Sequence, residues 1–516
     1  MGSINHKFLP IDLSHHINAK SKARHPSPLK DIIRFMGRDG MISLAGGLPH
    51  PSLFPVERAN FECQPPYTEP SIETPLVQLD LKRGLDGGRL DLTEFLQYGS
   101  GAGNQKLVSL VRELTERMHA PPCEHEYLLH PGNTNAWSKV VGLLCEDNDY
   151  VIVDEFTYPS AQALWIPLGI RANPVLADEQ GMSATGLRKM LINWDETSMG
   201  QRRPRLLYLV PVGSNPTGVT ISAQRRREIY EVCVEFDIII IEDDPYYCLQ
   251  FPKSTNKEQT FAPVSTNKFL ESLMPSFLSM DTQGRVIRLE SFSKTIFPGL
   301  RLGFFVANSV FTERLLRVTE VETQDPAGLS QALTLALFQN WGIDGYLTWL
   351  QGLQFQYRTR RYWLITAFKD FFRVLPAAKS PVPQAQGKVA CILDSEGKLL
   401  PVFSYIEPEA GMFVWARFYF HGVRRFIELR DGKIEDPEQA FATELWEALA
   451  EQLVLLTPGS YYHAWQGPDK TSTAARGTDP ESAFFRFSFA SPSKEQIEEG
   501  VRRIRSVVGQ FWDGST

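Results

Sequence analysis

Leu206-Leu-Tyr-Leu-Val210 runs directly into Pro211-Val-Gly-Ser-Asn-Pro-Thr-Gly218, and the amphipathic stretch Ile221–Phe236 follows. The apolar run is too short for a helix and reads as a strand buried on both faces. Proline and glycine end it, and the spacing of the next stretch predicts a helix. The same rhythm recurs along the chain. Tyr150–Val153, Ile238–Ile241, Val286–Leu289 and Leu302–Val306 are short, nearly continuous apolar bursts separated by longer polar or helical stretches. Leu107, Leu110, Val111, Leu114 and Met118 recur at helical spacing. Short buried strands alternating with helices predict an α/β fold with a mostly parallel sheet flanked by helices. Ligands of such sheets bind at the carboxyl ends of the strands, so the loops after the bursts are where chemistry is expected.

Outward from this centre the pattern changes. The first ~90 residues are rich in proline and glycine and read as an arm with extended pieces. Beyond about residue 345, helical Tyr346–Phe372 precedes strand-like Met412–Phe418, helical Asp436–Gln452 and strand-like Phe484–Phe489, which together predict a smaller α+β domain. Asp436 before Pro437 is the expected N-cap of its helix. The division is therefore 1–92 for the arm and part of the small domain, 93–345 for a large domain, and 346–516 for the rest of the small one. Asn193–Pro204, Lys253–Gln283, Ala377–Leu400 and Gln466–Ser482 read as surface insertions.

Composition narrows the function classes. The 516 residues are 43% hydrophobic and 22% charged, which suits a globular chain with more than one core. A formal net charge of -7 gives no reason to expect nucleic-acid binding. No apolar run approaches the ~20 residues that span a bilayer, and Met1 to Pro10 lacks a signal-peptide core. Gly2 invites a myristoylation reading, but His6 stands where that pattern wants serine or threonine. The expected location is the cytoplasm. Six scattered cysteines without a Cys-x-x-Cys pair predict free thiols, with no disulfide and no metal site. Gly99-Ser-Gly-Ala-Gly103 has no third glycine at the spacing of a dinucleotide loop, and no strand precedes it. His125-Glu126 with His130 is one residue too long for a zinc-binding His-Glu-x-x-His.

Four loop sequences form an ordered set: Pro211–Gly218, Glu242-Asp-Asp-Pro-Tyr246, Ser291-Phe-Ser-Lys294 and Pro298-Gly-Leu-Arg-Leu-Gly303. Each alone has a structural explanation as a turn or a solvated helix entry. Together, with Ile42-Ser-Leu-Ala-Gly-Gly-Leu-Pro49 and Phe485-Arg-Phe-Ser488, they resemble the fold-type I pyridoxal-phosphate-dependent aminotransferases. Within these they are similar to the fungal aromatic amino acid and the kynurenine/α-aminoadipate enzymes. The resemblance implies an aspartate aminotransferase-like large domain with a seven-stranded, mostly parallel sheet, and pyridoxal 5'-phosphate as cofactor.

It also assigns roles. Lys294 is the amine that condenses with the cofactor aldehyde and later moves a proton. Asp243, three residues before Tyr246, faces the pyridine nitrogen and keeps it protonated. Tyr246 and Asn215 donate to the phenolic oxygen, and Tyr158 stacks on the ring. Asn133, Thr134, Ser291, Ser293 and Arg301 hold the phosphate at a helix start. The turn here, Gly132-Asn-Thr-Asn, departs from the Gly-Ser-Gln-Gln of relatives. Arg486 sits inside an apolar strand, where an unpaired guanidinium is costly, so it should meet an anion. The resemblance makes that anion the substrate carboxylate, with Asn215 beside it and the Gly47 backbone nearby. Tyr98 reaches the phosphate of a neighbouring subunit, implying a homodimer with shared sites.

The expected reaction is transamination from an aromatic L-amino acid (phenylalanine, tyrosine or tryptophan, with kynurenine or 2-aminoadipate next) to a 2-oxo acid such as 2-oxoglutarate. A pyridoxal-phosphate-dependent carbon–sulfur lyase or tailoring enzyme is the alternative with the same cofactor. A non-catalytic ligand-binding regulator is the alternative from another class.

Overall fold

A computed structural model describes residues 7–28, 35, 38–42, 44–45, 47–66, 74–84, 90–251 and 261–512. Gly2 and His6, weighed above as a lipid signal, and residues 253–260 of the second insertion lie outside the described residues. A hairpin of β1 (Arg58–Cys63) and β2 (Val77–Lys82) precedes the main sheet.

That sheet has seven strands: β3 (Glu126–His130), β4 (Tyr150–Asp154), β5 (Arg171–Val175), β8 (Leu206–Leu209), β9 (Ile239–Asp243), β10 (Val286–Ser291) and β11 (Gly303–Ala307). The short ribbon β6 (Ala177–Asp178) and β7 (Gly181–Met182) stands apart from it. The strand order is β3-β11-β10-β9-β8-β4-β5. Strands β10, β9, β8, β4 and β5 pair in parallel, and β11 runs antiparallel to both of its neighbours. The isoleucines at the start of β9 and just before it show why the pattern reads as continuous. Ile239 and Ile241 enter one hydrophobic core, Ile238 and Ile240 the core on the opposite face, and all four are fully buried. Each contributes about 1.5–3 kcal/mol by burial.

Two strands, β3 and β5, lie outside the sequence expectation. β5 carries Pro174, which normally argues against a strand. It is tolerated because β5 is the sheet edge, where a missing N–H need not break a ladder.

A long helix, Gly328–Phe371, bends at Gly342, whose φ of +65° suits glycine. Its first part buries Ala332, Leu335 and Ala336 against Leu79 and Leu81 of the hairpin and Leu92 and Phe95. The chain then forms a six-stranded antiparallel sheet of β12 (Arg373–Pro376), β13 (Lys388–Leu393), β14 (Leu399–Tyr405), β15 (Phe413–Tyr419), β16 (Thr457–Pro458) and β17 (Ser482–Ser488). Their order is β12-β13-β14-β15-β17-β16. Helices Pro437–Glu451 and Lys494–Trp512 bury Phe441, Leu445, Ile504 and Val508 in the core that this sheet shares. Asp436 caps the first of them by accepting from the Gln439 N–H at 3.2 Å.

Two expected insertions are structural. Ala377–Leu400 supplies β13, with Val389, Ala390 and Cys391 fully buried. In the second insertion, Phe277 and Leu278 are fully buried, and their backbone N–H groups donate to Glu242 at 2.7 and 3.1 Å. Their isolated polar neighbours hid these contacts, which are long-range. Asn193–Pro204 does lie mostly at the surface, around the short helix Glu196–Met199.

Loops beside the two sheets meet without slack at Gly213 and Gly411. A Cβ on Gly213 would come within 2.6 Å of Gly411 Cα, and one on Gly411 within 2.7 Å of the Gly213 carbonyl oxygen. No described helix is long and apolar enough to cross a membrane.

The arm is tied to the large sheet. Asn18 Nδ2 donates to the carbonyls of Gly142 and Cys145 at 3.0 and 2.7 Å. His15 and His16 both reach Asp237, at 2.7 and 3.1 Å, and Arg285 shares that carboxylate. Burial lowers His16 to about 4, against the pull of Asp237. A histidine whose folded pKa lies below its unfolded value stabilises the fold above the unfolded pKa, near ~6.5. That contribution is lost as pH falls from there toward the folded pKa. Stability should therefore fall between pH 7 and pH 5. His16→Gln should reduce the fall by on the order of 1–2 kcal/mol, read from urea midpoints at each pH. An unchanged slope in the variant would remove His16 as the cause.

Candidate functional site

The parallel strands deliver their following loops to one edge of the sheet. Gly132 and Asn133 follow β3, Tyr158 follows β4 and Asn215 follows β8. Asp243 ends β9 with Tyr246 three residues on, and Ser291 ends β10 with Ser293 and Lys294 beyond. Asp243 pairs in register with Leu289, so the last residues of β9 and β10 are adjacent.

An anion cradle forms first. The helix Asn133–Leu144 starts at Gly132, which has φ +97° and offers no side-chain cap to the first turn. A Cβ on Gly132 would stand 2.1 Å from Arg301 Nη2, so the guanidinium lies directly over the helix start. Arg301 donates to Ser293 Oγ at 3.3 Å and to the carbonyls of Pro298 and Pro131 at 3.1 and 3.2 Å. These partners are all neutral, so its charge is left over. Ser291 Oγ bonds Ser293 Oγ at 2.9 Å, and Thr134 is exposed in the first turn. Uncapped N–H groups, a guanidinium and two hydroxyls are the donor set of a phosphate site.

Beside the cradle lie a buried carboxylate and a lysine. Asp243 is buried and accepts from Asn133 Nδ2 at 2.6 Å and from the Tyr208 hydroxyl at 2.7 Å. Burial raises its carboxyl, and these two donors pull it back. Asp244 faces elsewhere. It joins a buried network in which Arg288 meets Glu242 at 3.0 Å, Asp244 at 3.3 Å and Glu290 at 2.6 Å. The two adjacent aspartates therefore have different tasks, and only Asp243 is turned toward Asn133. Burial lowers Lys294 below its ordinary range, and the nearby charge of Arg301 lowers it further. Tyr246 is buried; burial, and then Asp243, raise its hydroxyl, which stays protonated. Tyr158 is half-buried at the start of helix Pro159–Trp165 and packs on the core.

Arg486 arrives from the other sheet. It lies on β17 and donates to Asn215 Oδ1 at 2.7 Å and to Thr457 Oγ1 at 3.4 Å. Its carbon Cζ stands 4.1 Å from the centre of the Phe413 ring and 5.1 Å from that of Tyr462. Its Nε is buried without a partner. Burial lowers its pKa, only tyrosines oppose that, and among the described residues no carboxylate pairs with it. A half-buried, uncompensated guanidinium among aromatic rings is a receptor for a small anion.

Gly47 and Tyr98 are less enclosed: Gly47 is exposed with open space where a Cβ would point, and Tyr98 is 65% exposed. Sequence reading missed Tyr208, Thr457, Phe413 and Tyr462. A tyrosine hydroxyl inside the apolar run Leu206–Val210 was the available signal for the first. A separate cavity of about 540 Å³ between the sheets is lined by Asp154, Glu155, Trp415 and Arg417, and none of the expected site residues borders it.

Comparison with known proteins sets this geometry in context. A profile of the aminotransferase class I and II family matches residues 75–351. An aromatic amino acid aminotransferase of Schizosaccharomyces pombe is 34% identical, over 97% of this chain and 98% of that protein. An L-tyrosine:2-oxoglutarate aminotransferase of Serpula lacrymans is 33% identical over 88% of this chain and 84% of its own length. Among solved structures, aminotransferase Aro8 from Candida albicans superposes with a TM-score of 0.84 at 30% identity, covering 98% of this chain and all of that one.

Proposed function

Because the chain belongs to the class I and II aminotransferase family, we propose that it moves the amino group of an aromatic L-amino acid to a 2-oxo acid such as 2-oxoglutarate. The observation that carries the reading is the juxtaposition of a cradle for phosphate, a buried carboxylate and a depressed lysine on one sheet edge, with an unpaired arginine facing them. The first three fit pyridoxal 5'-phosphate, on which this family depends. The neutral partners of Arg301 leave its charge for a phosphate, and the neutral donors on Asp243 leave its charge for a ring nitrogen.

When bound, that cofactor supplies an aldehyde for condensation with amines and a ring that takes up the electron pair left at the substrate Cα. The chain's residues do the rest. Arg301, Ser291, Ser293, Thr134 and the N–H groups of the helix start would hold the phosphate. Asp243 would keep a proton on the ring nitrogen. Tyr246 would donate to the phenolic oxygen, and so would Asn215, whose Oδ1 is engaged by Arg486. Tyr158 would cover the ring face. Lys294, with its ammonium destabilised, would supply the amine for that condensation and would afterwards move the proton from Cα. Arg486 grips the α-carboxylate bidentately near Gly47, and the Phe413 and Tyr462 rings keep water from it.

The aromatic donor is supported by the names of the two fungal relatives. The exposure of Tyr98 suits a residue that completes a neighbouring subunit's site, so the active form is proposed as a homodimer.

The test is the visible absorbance of the cofactor-loaded protein after addition of phenylalanine, tyrosine, tryptophan, kynurenine or 2-aminoadipate without any 2-oxo acid. Bleaching, fastest with an aromatic donor and reversed by 2-oxoglutarate, is expected. A band that survives all five, with pyruvate released from a cysteine conjugate, would replace transfer by elimination.

A further inference from the structure

Asn133 opens the helix that forms the phosphate cradle, yet its side chain is turned away from that task. Nδ2 donates to Asp243 Oδ1 at 2.6 Å and to the carbonyl of Leu289 at 3.0 Å. An amide nitrogen carries two hydrogens, and both are spent. Flipping the amide would set its oxygen against a carboxylate and a carbonyl at once, so acceptor chemistry fixes the orientation. The remaining atom, Oδ1, is an acceptor, buried and without a partner. It can offer nothing to a phosphate oxygen.

The second oxygen of Asp243 is held just as firmly. The Tyr208 hydroxyl donates to Oδ2 at 2.7 Å from a fully buried position. Its ring packs on Trp137 at 4.6 Å between centroids, and Trp137 is itself fixed by donating to the Ala161 carbonyl at 3.2 Å. Asn133 spans two neighbouring strands, since Leu289 and Asp243 are partners in register. Both carboxylate oxygens thus receive one neutral donor each, on rigid supports.

We propose that Asn133 and Tyr208 form a two-donor clamp that keeps Asp243 aimed and negatively charged, so that the Asn133 side chain serves the ring end of the cofactor and not its phosphate. This rests on the reading that Asp243 faces the ring nitrogen. Both are positioning residues: they act on the cofactor through Asp243. Without them a buried carboxylate would take up a proton more readily and lose the charge that holds a proton on the nitrogen opposite. The phosphate then receives from position 133 only its backbone N–H.

The experiment compares two probes, pyridoxal 5'-phosphate and pyridoxal, which lacks the phosphate. Dissociation constants are measured on the full-length chain stripped of cofactor, by quenching of its tryptophan fluorescence. Asn133→Ala should weaken both probes by the same factor, about tenfold or more, and Tyr208→Phe should do likewise. Arg301→Ala should weaken only the phosphorylated probe. If Asn133→Ala behaves like Arg301→Ala, the clamp is wrong and Asn133 is a phosphate ligand. Tyr208→Phe preserves the ring's shape, so it decides the matter even if Asn133→Ala fails to fold; unchanged binding of both probes would overturn the clamp. Asp243→Asn separates the premise. If it weakens neither probe, the ring-nitrogen reading falls and takes the clamp with it. If it weakens both while the clamp variants do not, the clamp alone falls.

Discussion

Replacement of Lys294 by alanine should lower the rate of amino transfer about 10⁴-fold or more, with the thermal unfolding midpoint nearly unchanged. The size follows from the two tasks the amine carries. As proposed, it supplies the amine for the covalent link and the base for the proton at Cα. No other described amine is placed at this edge of the sheet, where Lys294 follows β10 beside Arg301. The fold should tolerate the loss. Burial disfavours the lysine's charge, and removing a destabilised ammonium costs the native state little. Stopped-flow absorbance with a single addition of tyrosine gives the rate directly. A variant that retains a tenth of the wild-type rate would sink the assignment of Lys294.

Arg486→Ala should lower kcat/KM for every amino donor about 100-fold or more, mainly through KM, whatever the side chain of the donor. Two losses combine. The substrate carboxylate loses a bidentate partner, and Asn215 Oδ1 loses the 2.7 Å bond that orients its amide. Arg486→Lys should recover little, because an ammonium cannot reach Asn215 and a carboxylate in one plane as a guanidinium fork does. The measurement is steady-state kinetics with phenylalanine, tyrosine and 2-aminoadipate in parallel. A penalty confined to one donor would make Arg486 a side-chain contact.

How much of this was legible in the sequence differs by element. The strands carrying Ile238–Ile241 and Val286–Leu289 were plain because both faces are buried, which leaves a nearly continuous apolar run, broken in the second only by Arg288. β5 was not, since Pro174 is permitted only by its place at the edge, and edge position is a property of the assembled sheet. The stretches 261–283 and 377–400 looked like surface for the same reason. Phe277 and Val389 find their partners across long separations, and local composition does not report them. At the site, the ordered set of motifs carried a family resemblance, and that resemblance pointed to Lys294, Asp243, Asn215 and Arg486. The choice of Asp243 over Asp244 needed family resemblance, because two adjacent carboxylates after a strand look alike until Arg288 is seen to engage only one. Asn133 was expected in the cradle by resemblance to the family. The direction of its amide depends on Leu289, 156 residues away. Tyr462 and Phe413 were invisible as a box around Arg486, because they reach it from segments far apart in sequence and nothing local marks either ring.

The contact between Gly213 and Gly411 has a mechanical meaning. It lies two residues from Asn215 on one side and two from Phe413 on the other. A side chain at either glycine would act as a wedge, prising the loop that carries Asn215 from the strand whose Phe413 ring packs on Arg486.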